Sequence, residues 1–334
     1  MKLHRLLPWQ RTLWGAAIAQ VLSLIAFQAG FVLIPYYIQE LGISDVNEVA
    51  RWTGAYQSIG SVAFAVFTPV WGALGDRYGR KANLVRATVG TAVMMAATAF
   101  VRTPVQLLIL RFFQGMVTGT PSAASVLVAA SVPRKKVAFA LGLLQTAFFI
   151  GISIGPMFGG WVGDAIGYRQ TFLLSSLIVV LAVVAAIVGT TEPERDAAEL
   201  EAAAKPGSRN PLAGFGELFR NPVLAGLVLV NLTMSLTLSL ISPALPILIQ
   251  QIVAPGTQPA SVAGTVTGVG AITAAAAAMA AGRLAEHLGN RRTSLLGMVG
   301  TALLYIPMGL AQTPLLLIVG SAAQGLFRGG IGPS

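Results

Sequence analysis

Residues 72–81 read Gly72-Ala-Leu-Gly-Asp76-Arg77-Tyr-Gly79-Arg80-Lys81. An apolar run, residues 53–74, leads into this stretch, and a second, residues 82–101, leads out of it. Each has the roughly 20 apolar residues that a helix needs to cross the hydrocarbon core of a bilayer. The charged stretch is therefore a short connection at one membrane face. Gly72 and Gly79 permit close helix approach and a tight turn, and Asp76 sets an anion beside Arg77, Arg80 and Lys81. Working outward, the same alternation continues. Apolar runs cover residues 12–39, 53–74, 82–101, 105–131, 138–162, 171–189, 222–250, 262–284, 294–311 and 315–333. Backbone groups in lipid must be satisfied within the segment, so these are predicted helices. They lack the short alternating pattern of a membrane β-barrel.

Composition agrees. Of 334 residues, 55% are apolar and 10% are charged, against about 25% charged in soluble domains. The net charge of +10 could suggest nucleic acid, but the basic residues form short clusters between apolar runs, so no nucleic-acid partner is expected. The first run is too long for a signal peptide and no cleavage site follows it. Basic residues from Lys2 to Arg11, Arg77 to Arg86, Arg134 to Lys136, Arg195 to Arg220 and Arg283 to Arg292 fall on one side. Arg51, Arg102 and Arg169 fall on the other. Positive-inside bias puts the N-terminus in the cytoplasm of a multi-pass inner-membrane protein. The polar segment 191–220 reads as a cytoplasmic linker, dividing a six-helix N-terminal bundle (1–190) from a partial C-terminal bundle (221–334).

The two sides of the linker repeat. Gly72 and Gly282 are 210 positions apart, as are Gly79 and Gly289, Thr103 and Thr313, Pro104 and Pro314, Gln114 and Gln324, and Gly115 and Gly325. Pro35 and Pro246 are 211 apart. Parallel six-plus-six halves are one large transporter architecture. Carrying Gly189 forward by 210 gives a second half ending near position 399, so the sequence is expected to be truncated after its tenth helix. The other reading is a natural ten-helix protein.

The stretch 72–81 matches G-x-L-x-D-R-x-G-R-K and resembles the signature between helices 2 and 3 of the major facilitator superfamily. The resemblance implies the major facilitator fold, with a C-terminal bundle left incomplete at four helices. It also implies a conformational latch at Gly72, Asp76, Arg77, Gly79, Arg80 and Lys81. A degenerate second copy spans 282–292, with Glu286 in the aspartate position and Arg291 beside it. The fourth run carries Arg111-Phe-Phe-Gln114-Gly115, similar to the family's second motif. The resemblance implies proton coupling through Arg111. A cation inside a span costs roughly 2.5–3.5 kcal/mol on insertion scales and is a functional candidate by default. Its other reading is a snorkelling arginine, about 9 Å from the helix start. The fifth run carries Gly151, Gly155, Pro156, Gly159 and Gly160 in the pattern G-x-x-x-G-P-x-x-G-G. Its glycines favour tight helix packing and its proline a bend. It resembles the antiporter signature of twelve-helix drug:proton exchangers, over a resemblance that covers the whole chain.

The implied activity is proton-coupled export of lipophilic drug-like compounds by alternating access, with multidrug efflux and antibiotic resistance as the physiological setting. The partners are the bilayer, a small-molecule substrate and protons as coupling ion, and the protein is expected to be monomeric. A major facilitator importer of another solute and a non-transporting remnant remain alternatives. Expected cavity residues are Gln28, Tyr36, Gln57, Gln114, Gln145, Phe149, Asn231 and Met234, a neutral set suited to lipophilic, weakly polar or cationic compounds. No acid lies near the middle of a run, so the proton-carrying side chain is left unassigned. No enzyme is expected. His4 and His287 lie outside the runs, the sequence lacks His-Glu-x-x-His, and no pair of aspartates sits within spans. With no cysteine and no clustered histidine, neither metal nor cofactor is expected.

Overall fold

The computed structural model describes residues 7–193, 244–253, 259–288 and 290–329, with side chains outside 279–291 and 294. Asn231 and Met234 lie outside the described residues, as do the side chains of Glu286 and Arg291. The described residues are helical, with no strand among them. The first half comprises α1 (Pro8–Glu40), α2 (Val46–Tyr78), α3 (Arg80–Thr98), α4 (Pro104–Val117), α5 (Thr120–Ser131), α6 (Val137–Ile166) and α7 (Tyr168–Gly189). A 3₁₀ turn at Arg134–Lys136 precedes α6. The second half comprises α8 (Ala244–Ile252), α9 (Pro259–Leu288), α10 (Asn290–Gly309) and α11 (Pro314–Gly329). Helix α1, α2, the segment Arg134–Ile166, α7 and residues 259–278 are each long and apolar enough to cross a membrane. Large apolar side chains, among them Val66, Phe100, Leu181 and Leu303, stay exposed around the bundle. In water such a surface would be unstable; in lipid it costs nothing.

The end of the bundle carrying Pro8, Gly79 and Arg134 is called the basic end here, and the other the distal end. Two cores occupy them. The distal core combines both halves, with Leu33, Tyr37, Tyr56 and Phe172 packed together with Ile249, Ala263 and Leu317. The second core, toward the basic end, is built from the first half, around Leu13, Leu84, Leu127, Leu144 and Val179.

The sequence repeat is a structural repeat. Thr103 caps α4 by accepting from the Gln106 N–H at 3.3 Å, and Thr313 caps α11 by accepting from the Leu316 N–H at 3.4 Å. In both, a proline follows at the first helical position, where its missing N–H is not needed. Helix α2 packs on α4, and α9 on α11. Gly115 lies against the Gly60 carbonyl, and Gly325 against the Gly270 carbonyl, the same pair shifted by 210. Leu107 and Leu317, equivalent again, are 1% and 0% exposed.

One expectation changes. The fourth run, predicted as a single helix over 105–131, is two helices, α4 and α5, separated at Thr118 and Gly119. Gly119 has φ +136°, which a side chain would oppose. Pro121 lacks the N–H that would bond Val117 O in a continuous helix. Two side chains satisfy the exposed carbonyls: Trp71 Nε1 donates to Met116 O at 2.6 Å, and Arg86 Nη1 donates to Val117 O at 2.7 Å. The Arg86 guanidinium stacks 3.7 Å over the Trp71 ring and also donates to Asn83 Oδ1. Arg86, expected only to set topology, thus fills the gap in a broken span.

Candidate functional site: a cavity between the two halves

A cavity of about 760 Å³ lies between the halves, within the range of small-molecule sites. Its apolar walls include Phe31, Pro35, Pro156, Pro246, Met308 and Leu317. Its polar residues are Gln28, Thr53, Tyr56, Gln57, Thr267, Tyr305, Ser321, Gln324 and Arg328. Of the residues expected here, Gln28 and Gln57 line it. Tyr36 lies beyond it, with its hydroxyl donating to Pro259 O at 3.2 Å. Gln114 is buried behind the wall, Gln145 is exposed elsewhere, and Phe149 packs edge-on against Phe148. Tyr305, Gln324 and Arg328 were missed. The repeat held the signal: Gln324 is the counterpart of Gln114, which was chosen.

Arg111 does not line the cavity. It is 8% exposed, and Nη1 donates to Gln114 Oε1 at 2.7 Å. Its guanidinium lies 4.6 Å from the Tyr56 ring centroid, 5.3 Å from Phe27 and 5.8 Å from Phe31. Gly60 makes its room, since a methyl there would meet the guanidinium. Tyr56 donates to the same Gln114 Oε1 at 3.3 Å. This cation is held by an amide and three rings, not by a described carboxylate. Its Nε is buried without a hydrogen-bond partner among the described residues. Cation–π contacts are worth about 2 kcal/mol or more when desolvated, which offsets much of the burial penalty.

Helix α6 forms the seam. Gly151, Gly155 and Gly159 press against α1 at Leu24, Ile25 and Ala29, while Gly160 faces the other way, onto Ala260 of α9. From α9, Gly264 meets the Pro156 carbonyl and Gly268 meets Met157. The motif therefore packs α6 against its own half on one face and against the second half on the other. Pro156 has no N–H for the Ile152 carbonyl, and both residues border the cavity.

Hydrogen bonds join the halves near the distal end. Gln39 and Gln250 exchange reciprocal amide bonds, both 3.1 Å. These two sit 211 apart in sequence, so the pair straddles the repeat axis. Asp164 Oδ2 accepts from the Ser261 N–H at 2.6 Å, which places a carboxylate at the N-terminus of α9, where helix dipole and free N–H groups favour an anion. Trp161 Nε1 donates to Thr265 Oγ1 at 3.2 Å.

The expected latch residues occupy the basic end. Gly79, with φ +126°, joins α2 to α3. Glu192 closes the N-terminus of α3: its carboxylate accepts from the Arg80 and Lys81 N–H groups, both at 2.8 Å. Lys81 Nζ donates to Ile187 O at 2.8 Å. Asp76 and Arg77 are exposed, and Arg77 stacks 5.4 Å from the Tyr78 ring. A Cβ added at Gly72, expected to allow close approach, would meet nothing within 4 Å among the described residues. Glu192, in the segment expected to be the linker, thus bonds α3 of the first half. Among the described residues no group of acids or histidines could hold a metal ion.

The profile of the Major Facilitator Superfamily matches residues 16–252 and 227–334. The multidrug resistance protein MdtG of Rahnella sp. (strain Y9602) is 29% identical over 309 residues, 92% of this chain and 74% of that one. MdtG of Escherichia coli (strain K12 / DH10B) is 28% identical over 313 residues, with the same shares. Among solved structures, a bacterial homolog of the human lysosomal transporter Spinster, inward-facing and unoccupied, superposes with TM-score 0.73 at 18% identity. It covers 98% of this chain and 75% of that one. A variant of the nucleoside transporter NupG gives TM-score 0.75 at 15% identity, over 96% and 80%. With a paired-half scaffold, a cavity between the halves and a profile matching nearly its whole length, this multi-pass membrane chain belongs to the Major Facilitator Superfamily.

Proposed function

We propose that this protein exports small lipophilic compounds across the inner membrane in exchange for protons, by alternating access, with its N-terminus in the cytoplasm. The observation that carries the reading is the α6 seam. A glycine face that lets α6 lie against α9 gives the halves a rocking axis with little side-chain interlock, and the cavity lies beside that axis. The distal contacts Gln39–Gln250 and Asp164–Ser261 suit a state closed at the distal end and open toward the basic, cytoplasmic end. Export is favoured over import by the likeness to two proteins named for multidrug resistance and by the G-P-x-x-G-G pattern at 155–160. Arg111 is the proton-coupling candidate. Its orphaned Nε, held near Gln114 and Tyr56, offers a site where a proton-bearing group or water would be felt. Residues 72–81 with Glu286 and Arg291 form the proposed basic-end latch. The six-helix bundle 1–190, linker 191–220 and second bundle 221–334 are the proposed units of a monomer.

The test is flux in inside-out membrane vesicles energised to an acidic interior. A fluorescent lipophilic dye is expected to enter the lumen, and collapse of the proton gradient is expected to stop it. Dye movement in the opposite direction, or movement indifferent to the gradient, refutes proton-driven export.

A further inference from the structure

We propose that the cavity selects amphiphilic anions, and that Arg328 recognises their negative charge. This rests on the transport reading above and names its substrate class.

Among the described residues that line the cavity Arg328 is the one charged side chain, and no carboxylate is among them. Its electrostatic neighbour is the Tyr305 side chain, across from it on α10. Tyr305 and Gln324 line the same cavity, and Gln324 stands one turn before Arg328 on α11. Gln324 Nε2 is buried with no hydrogen-bond partner among the described residues. One cation and one unused amide donor therefore stand on adjacent turns of α11 at the cavity wall. The sequence offers no compensating acid nearby. No Asp or Glu occurs between Glu217 and Glu286, and none follows Glu286 within these 334 residues. The segment 221–243 is entirely uncharged.

Arg328 is exposed, and a cation in a cleft with apolar walls focuses a positive potential into it. A cationic compound entering there meets repulsion and finds no counter-charge. An anion meets a planar guanidinium fork, the group best matched to carboxylate, sulfonate or phosphate oxygens, with the Gln324 amide as a further donor. The apolar walls at Phe31, Pro35, Met308 and Leu317 receive the remainder of the molecule. Arg111 offers a substrate no such contact, because it lies behind the wall and is already held by Gln114 and three rings; its charge adds to the same positive potential. The cavity is thus basic, where sequence reasoning expected it neutral.

Tetraphenylborate and tetraphenylphosphonium have one shape and opposite charge, so they isolate this preference. Binding of each to the full chain in nanodiscs is measured by equilibrium dialysis, with empty discs subtracted. The borate is expected to bind at least tenfold more tightly. Arg328→Gln is expected to weaken borate binding at least tenfold and leave phosphonium binding unchanged or stronger, while Arg328→Lys retains the anion preference. Equal or tighter phosphonium binding to the wild type overturns the inference but leaves the transport reading standing, and this comparison needs no variant to fold. An undiminished borate preference in Arg328→Gln overturns the role of Arg328. If neither ion binds saturably, both the anion assignment and the cavity's role in transport fall.

Discussion

Arg86→Met removes the guanidinium that closes the break between α4 and α5 and keeps a side chain of similar reach. The charge-assisted bond to Val117 O, 2.7 Å long, is of a kind worth about 1.5–3 kcal/mol in soluble proteins. The stack over Trp71 at 3.7 Å adds about 0.5–2 kcal/mol. Two terms reduce the loss. Polar contacts in membranes average nearer 0.6 kcal/mol, and taking a half-buried cation out of a span relieves its desolvation. The expected net loss is about 1–3 kcal/mol, located at one joint. Because the protein has no cysteine, spin labels can be placed at single introduced cysteines. Val105 on α4 and Val126 on α5 are 56% and 47% exposed, so labels there leave the core intact. A straight helix would separate them by about 32 Å at 1.5 Å per residue. The wild type is expected to show one narrow, shorter distance, and Arg86→Met a broadened distribution. Trp71→Phe keeps a ring for stacking but loses the donor to Met116 O, so it is expected to broaden the distance less. An Arg86→Met/Trp71→Phe double variant with the wild-type distribution would refute the reasoning: the break would then be held by Gly119 and Pro121 alone.

Gly160→Val drives a branched side chain into the Ala260 carbonyl and is expected to cut vesicle flux more than tenfold. Gly72→Val meets nothing within 4 Å among the described residues and is expected to leave the yield of folded protein within twofold, where Gly160→Val lowers it further; equal loss of yield in both would remove the special role of the seam. Asp164→Ala takes away the anion at the α9 N-terminus, worth about 1 kcal/mol for a lost cap. It is expected to raise distal opening about fivefold, read as the labelling rate of Leu248→Cys by a membrane-impermeant thiol reagent, and an unchanged rate would count against the distal closure. Gln39→Ala and Gln250→Ala are expected to show coupling near 0.6 kcal/mol, at most about 1.7, in a double-mutant cycle on the same rate; additivity would mean the reciprocal pair contributes no closure energy.

The features legible in the sequence are those in which one residue type has one physical consequence. Apolar runs of 20 residues must be helices in lipid, and α1, α2, α3, α6 and α7 appear where they were expected. The 210-residue offset located a repeat because glycines at helix crossings cannot drift, as Gly115 on Gly60 and Gly325 on Gly270 demonstrate. The break in the fourth run was written as Gly119-Thr-Pro121 but hidden by the apolar residues on both sides. A hydropathy reading averages over a defect that two residues create. The roles of Arg86, Glu192 and Asp164 were not legible for a different reason. Each satisfies backbone groups on another helix, at Val117, at Arg80 and Lys81, and at Ser261, and no local pattern states which helix end will arrive beside a given side chain.

The repeat also separates the positions that match between the halves from those that do not. Wherever backbone meets backbone, the halves agree: the Thr-Pro caps, the buried Leu107 and Leu317, the two glycine crossings. Charges in the loops can agree, as Asp76 and Glu286 do, but the cations within the equivalent helices α4 and α11 do not. The counterpart of Arg111 is Ser321, whose hydroxyl donates to Val266 O at 2.7 Å and spends itself on its own half. The counterpart of Arg328 is Thr118, at the break between α4 and α5. Each half thus carries one cation on its equivalent helix, seven residues out of step with the other. That displacement puts Arg111 inside the packing of α1, α2 and α4 and puts Arg328 at the cavity wall. A scaffold that must rock about its axis needs matched halves, because both members of every crossing have to slide alike. Under the proposed proton exchange, a pathway that distinguishes its cargo from its coupling ion needs unmatched ones, because a symmetric pair of cations would present the same charge to both. Between α4 and α11 the symmetry is kept in glycines and carbonyls, and the asymmetry of charge lies in two arginines.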